Sequence, residues 1–127
     1  MAISGTPAEA QVPFVSCAQL TSATGTTETS SLVSAGTNGT RITEVRVVSG
    51  SEPAVAPGTV LLLKLYDGTT SRAFASAVCP GGADLQQALF SFGNSLVLPN
   101  AASLRMQLRT GLPSGGVLDV TFYGVSF

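Results

Sequence analysis

The chain has few of the side chains that carry out chemistry in proteins. Its 127 residues include no histidine, no tryptophan and only two cysteines, Cys17 and Cys79. Histidine is the commonest general base in nucleophilic catalysis, and the two cysteines do not have the spacing of metal ligands. These absences predict a structural or binding protein that is not an enzyme and carries no cofactor and no metal.

Charge is also scarce, because only 10% of the residues are charged, whereas soluble domains carry about 25%. Six basic and seven acidic residues give a net charge of −1, with no basic stripe. We therefore expect neither nucleic acid nor a membrane surface as a partner. A surface so poor in charge lacks the repulsion that keeps monomers apart, which favours a surface covered by protein partners.

Residues 1–13 differ from the rest of the chain. They show no helical or strand period and contain Pro7, Pro13 and a single charged residue, Glu9. We interpret them as an extended N-terminal arm that becomes ordered on a partner, with Pro7, Glu9, Val12 and Pro13 as candidate contacts. The arm has no cationic start or long apolar run, so we expect no secretory signal and synthesis in the cytoplasm.

Residues 14–127 predict a single β domain. Short apolar-alternating runs recur about every ten residues, separated by turn signals such as Asn38-Gly39 and Asp67-Gly68. The candidate strands are residues 14–21, 26–33, 41–48, 59–66, 71–79, 103–109 and 118–122, and residues 96–99 predict a short strand or a corner. Residues 84–92 fit either a short helix capped by Asp84 or a strand.

This pattern favours an all-β fold, an antiparallel β-sandwich of about eight strands in a jelly-roll-like arrangement. A Greek-key sandwich of immunoglobulin type is the second choice, although the chain lacks the tryptophan of that family. Thr43 is expected on one face with Val45 and Val47. The period of two predicts a core made of Val45, Val47, Leu61, Leu63, Leu65, Leu104, Met106, Leu108, Val120 and Phe122.

The remaining polar residues have simple structural interpretations. Lys64 alternates with leucines and is expected to face outward. Glu44 and Asp119 lie in different strands, where two carboxylates of a glycosidase could meet, but each is also expected to face outward. Asp67 is interpreted as part of a hairpin turn in preference to a calcium ligand. Cys17 and Cys79 are interpreted as small apolar core residues, and a disulfide between them stays open.

Several segments resemble one class of proteins. They are residues 35–42 (AGTNGTRI) followed by Val45 and Val47, residues 63–68 (LKLYDG), residues 96–99 (LVLP) running into 103–105, and the tail 122–127 (FYGVSF). Together these resemble the small β-rich virion proteins of tailed bacteriophages, some of which decorate or cement the head. The resemblance spans roughly residue 32 to the end, and it departs at Asn100-Ala101-Ala102, where an Ala-Gly turn is expected.

The resemblance implies a structural role and no catalytic residues. We expect a head decoration (cement) protein, made in the host cytoplasm and located on the capsid surface of the virion. Its partners would be the major capsid protein and further copies of itself, as a homotrimer. A receptor- or glycan-binding module of a tail fibre or spike is the alternative from another class, and a tail or connector assembly protein is the third.

Overall fold

The architecture is that of two antiparallel sheets. The computed structural model describes residues 11–49, 60–78, 87–112 and 114–127. Within these residues the strands are β1 (Val12–Thr21), β2 (Val33–Ser34), β3 (Thr40–Ser49), β4 (Val60–Tyr66), β5 (Ser71–Val78), β6 (Gln87–Leu98), β7 (Ser103–Leu108) and β8 (Val117–Ser126). A single 3₁₀ turn, Ser22–Thr24, follows β1.

Each sheet has four strands. Sheet A has the order β1-β8-β3-β6, and sheet B has the order β2-β7-β4-β5. Strands pair as β1 with β8, β2 with β7, β3 with β6 and β4 with β5, all antiparallel. One long hairpin rolled up would give this pairing, which is consistent with the jelly-roll-like arrangement. The predicted β-sandwich is confirmed.

The core lies between the two sheets, and both contribute to it. Nine of the ten predicted core residues are 0% exposed, while Leu65 is partly buried and packs against the cluster. Leu20, Ile42, Leu98 and Leu118 complete the fully buried set. The alternation in β4, β7 and β8 therefore identified the inward face of each strand.

A bulge in β3 changes which side chains of that strand face the core. Ile42 pairs with Gly124 and Glu44 with Tyr123, so Thr43 is an extra residue opposite β8. Ile42 is buried as a result, and the Thr43 hydroxyl donates to the Tyr123 carbonyl at 3.1 Å. The expectation that Thr43 shares the core face with Val45 and Val47 is wrong, because a bulge shifts the alternation by one residue.

Two other segments differ from the expected strands. Residues 87–98 form one long strand, so the strand alternative for the ambiguous segment is right from Gln87 onward; residues 84–86 lie outside the described part. Of residues 26–33 only Val33 belongs to a strand. The segment nevertheless runs beside β7, since Thr29 N–H donates to the Met106 carbonyl and Leu32 N–H to the Leu104 carbonyl.

Candidate functional site

The four candidate contacts of the N-terminal arm separate in the structure. Pro7 and Glu9 lie outside the described residues. Val12 and Pro13 belong to β1, paired with Ser126 and Val125 of β8, so the sheet begins two residues earlier than the arm boundary placed it. Proline is tolerated there because β1 is an edge strand, on which one side of the ladder needs no donor. Both side chains are exposed.

Lys64 takes part in an ionic network on the outer face of sheet B. Its Nζ atom lies 2.8 Å from Glu28 Oε1 and donates to Gln107 Oε1 at 2.8 Å. The second Glu28 oxygen lies 3.2 Å from Arg105 Nη1. The hydrogen bond from Lys64 lowers the pKa of Glu28 below its ordinary 4.5, with a smaller contribution from Arg105. Lys64 therefore faces outward as expected, and it is held by a carboxylate.

This network attaches the segment between β1 and β2 to sheet B. Glu28 belongs to that segment, and Thr26 supplies a carbonyl that accepts from the Gln107 amide at 2.9 Å. The Arg105 guanidinium lies over the Tyr66 ring, 3.7 Å from its centroid. Glu28, Lys64, Gln107 and Arg105 are thus paired with one another or with neighbours of the same chain. The arrangement is that of a structural clamp.

Glu44 and Asp119 do not face each other. Glu44 pairs with Tyr123, and Asp119 lies four residues further along β8, which separates the two by roughly 13 Å along the sheet. Glu44 instead bonds Arg46 at 3.1 Å, and Asp119 accepts from Gln19 at 2.9 Å. The two carboxylates of a glycosidase lie closer together, at roughly 5–9.5 Å.

Asp67 is part of a hairpin turn between β4 and β5. Its Oδ1 atom accepts from the Thr69 and Thr70 backbone N–H groups and from the Thr69 hydroxyl, at 2.8–3.0 Å. These bonds, the one from Thr70 first, lower the pKa of Asp67 from 3.8 to about 2. Gly68 has a φ of 104°, which glycine adopts without strain. The turn interpretation explains this carboxylate fully.

Cys17 lies on the outer face of sheet A and is exposed. The interpretation of Cys17 as a core residue is wrong, because in β1 the residues that face inward are the neighbouring even-numbered ones, ending in buried Leu20. Its Sγ atom lies 4.0 Å from the Thr121 hydroxyl. Cys79 falls outside the described residues.

The exposed apolar side chains follow one rule. Among the described residues, every exposed large hydrophobic side chain lies on an edge strand, with exposed fractions from 41% to 62%. Val12 and Val15 lie on β1, Leu89 and Val97 on β6, and Phe74 and Val78 on β5. Soluble monomers normally protect their edge strands by placing charged side chains on them, by keeping them short or by covering them with a helix or loop. We take these three strands, named here the apolar edges, as the candidate functional site.

The two apolar edges of sheet A are also without charge. β1 has ten residues and β6 has twelve, and neither contains a lysine, arginine, aspartate or glutamate. Within the described residues, β1 pairs only with β8 and β6 only with β3, so each strand has a free side. A long uncharged edge is a template for a further strand.

The third apolar edge lies beside β6. Phe74 of β5 and Phe92 of β6 have ring centroids 5.9 Å apart. The edge strand β5 of sheet B therefore lies close to the edge strand β6 of sheet A on one side of the sandwich. Phe74 is the extra residue of a bulge, because Leu63 pairs with Ala75 and Lys64 with Ala73. An open depression of about 320 Å³ at this bulge is lined by Leu62, Ala73, Phe74, Ala75 and Ser76. Its lining has no charged group, so it suits apolar contact.

The sequence alone missed this site. The signal was present, since residues 12–21 and 87–98 are free of charge. An edge strand, however, is defined by its neighbours, which one sequence does not reveal.

The described residues contain no group of three histidine, cysteine, aspartate or glutamate side chains placed to hold a metal. They also contain no helix long and apolar enough to cross a membrane. No protein-family model matches the chain, and no curated protein matches it in sequence.

Proposed function

We propose that this protein is a structural virion protein of a tailed bacteriophage that decorates the head and cements it by binding the shell of the major capsid protein. The observation that carries the proposal is the placement of the exposed apolar side chains on edge strands that have little or no charge. Such edges suit permanent assembly with other protein chains. The resemblance of residues 32–127 to small virion proteins is the reason for proposing a phage head as the assembly.

The proposed mechanism is stabilisation by mass action. A protein that binds the assembled shell, and not the separate capsid subunits, shifts the equilibrium toward the shell. Binding across the junctions between neighbouring capsid subunits achieves this, because such a site exists only after assembly. A homotrimer seated at a three-fold junction would present the same surface to three subunits.

The alternative, a receptor- or glycan-binding module, has less support. Glycan sites commonly use aromatic side chains in exposed loops, whereas Tyr66 and Tyr123 both lie in strands. Each ring is also covered by a guanidinium of the same chain, Tyr66 by Arg105 and Tyr123 by Arg46, the latter at 5.3 Å from the centroid. These tyrosines are therefore engaged internally.

A binding experiment with purified shells tests the proposal. Expanded shells of the major capsid protein from the same phage are mixed with this protein, and the bound fraction is measured by sedimentation. We expect saturable binding and a higher temperature of shell disruption than for bare shells. An unrelated β-sandwich of similar charge serves as the control. No binding at any concentration, or binding without a change in disruption temperature, contradicts the cement function.

A further inference from the structure

Among the described residues, β1 and β6 are the two outermost strands of sheet A, each has one side without a paired strand, and both are uncharged. We propose that the protein self-associates head to tail, with the free edge of β1 in one protomer pairing with the free edge of β6 in the next. This assigns an interface to the homotrimer of the proposed function and rests on that function for the number of subunits. The pairing itself is argued from sheet A alone.

The backbone determines what kind of partner fits these edges. A free edge presents a row of unpaired N–H and C=O groups, and another extended strand satisfies them most completely. β1 has ten residues and β6 has twelve, but the register of β6 with β3 shifts over residues 92–95, so its regular edge consists of residues 87–91 and 96–98. The two are the outermost strands of the same sheet, separated by about 14 Å across three strand spacings.

The strand directions allow β1 of one copy to pair antiparallel with β6 of the next. β1 is antiparallel to β8, β8 to β3, and β3 to β6, so β1 and β6 run in opposite directions within one protomer. Rotation about an axis parallel to the strands preserves both directions. The β1 of one copy would therefore meet the β6 of the next in antiparallel orientation and continue the alternation of sheet A.

The side chains favour a second copy of this chain over an unrelated strand. Val15 on β1 and Leu89 on β6 are 62% and 50% exposed, and no charged residue on either strand opposes close approach. The complementary edge for each strand is thus present in every copy. Because the contact joins two different surfaces, it is heterologous, and it closes into a ring when the rotation between neighbours is a whole fraction of a full turn. A ring leaves neither edge of sheet A free.

Two lysine substitutions test the interface, one on each edge. Val15→Lys and Leu89→Lys place a charge at exposed positions, where the fold of the protomer should be unaffected. Thr37→Lys, in the exposed turn before β3, adds the same charge away from both edges. Sedimentation equilibrium should show a trimer for the wild type and for Thr37→Lys, and a monomer for each edge variant. Far-ultraviolet circular dichroism checks folding, and Gln19→Lys and Ser91→Lys replace either variant that fails to fold.

Mixing the two edge variants tests the head-to-tail geometry. A Val15→Lys protomer keeps an intact β6 edge, and a Leu89→Lys protomer keeps an intact β1 edge. The mixture should therefore form a dimer through one unmodified junction, although neither variant associates alone. A symmetric β1–β1 or β6–β6 contact predicts different behaviour, because one of the two variants would then still dimerise by itself.

The outcomes separate this inference from the proposed function. A monomeric wild type, an edge variant that assembles normally, or a mixture that stays monomeric overturns the head-to-tail pairing. Each of these results is obtained without shells. Shell binding by a protein that fails these tests leaves the cement function standing, and correct assembly without shell binding rejects only that function.

Discussion

Glu28 and Lys64 form an ion pair of 2.8 Å that joins the segment between β1 and β2 to the outer face of sheet B. Both side chains are about four-fifths buried, at 23% and 18% exposed, and Arg105 shares the same carboxylate. Glu28→Gln keeps the shape but removes the charge, leaving two cations without their counterion. We expect a loss of roughly 1–3 kcal/mol in the free energy of unfolding, measured by urea denaturation at pH 7.

The same variant has a defined pH dependence. Glu28 has a pKa below 4.5 in the folded protein, so its contribution to stability is complete above pH 4.5 and is lost as the pH falls through the folded value. The difference between wild type and Glu28→Gln should shrink below pH 4.5. Glu44→Gln is the matched control, because the Glu44–Arg46 pair is more exposed and should contribute little. Equal losses of unfolding free energy for Glu28→Gln and Glu44→Gln would contradict a stabilising role of the Glu28 ion pairs.

Leu63 of β4 lies in the centre of the core and is 0% exposed. Leu63→Ala removes buried methyl groups and leaves a cavity, so we expect a loss of roughly 2–5 kcal/mol. Leu89→Ala makes the same chemical change at an exposed position and should cost less than about 0.5 kcal/mol in the monomer. Thermal unfolding at low protein concentration checks both values, and similar losses would argue against the assigned core.

Gly124 of β8 has no room for a side chain. A Cβ atom there would overlap the Arg41 carbonyl oxygen and lie 2.8 Å from the Phe14 ring. Gly124→Ala should therefore separate β8 from its neighbours β1 and β3 and cost roughly 1–3 kcal/mol or more. Gly36→Ala is the control, since its nearest neighbour would be 3.7 Å away, an ordinary contact. Unchanged stability of Gly124→Ala, measured by chemical denaturation, would refute this packing.

Deletion of residues 2–10 tests the proposed role of the N-terminal arm. The deletion stops before β1, because Val12 already pairs with Ser126. We expect an unchanged unfolding temperature and a lower occupancy on expanded shells than that of the full chain. An unfolded variant would show that these residues belong to the core, and unchanged occupancy would exclude them from shell binding.

The sequence predicted the class of fold and most of the core because both depend on local alternation. Leu104, Met106 and Leu108 alternate with polar residues over a full strand, and all three are buried. The turns at Asn38-Gly39 and Asp67-Gly68 were equally readable, since each contains a glycine that has a positive φ in the structure. These features need only neighbouring residues to be recognised.

The errors arose where the backbone departs from that local rule. The β3 bulge moves Thr43 out of the core face and brings Ile42 into it. The residue types in this segment do not indicate that a bulge is present. At the turn before β7, Ala101 takes a φ of 74°, a left-handed conformation that glycine adopts more readily than alanine. The apolar edges were also hidden, because Val15 and Leu89 become edge residues only through the pairing of distant strands.

The proposal that this is a head decoration protein is tested most directly by locating the protein on tailed-phage particles. Cryo-electron microscopy of purified particles, with and without the gene for this protein, measures that position as difference density. We expect density on the outer surface of the head, at a fixed ratio to the major capsid protein. Density at the tail or its fibres, or no difference between the two kinds of particle, would contradict it.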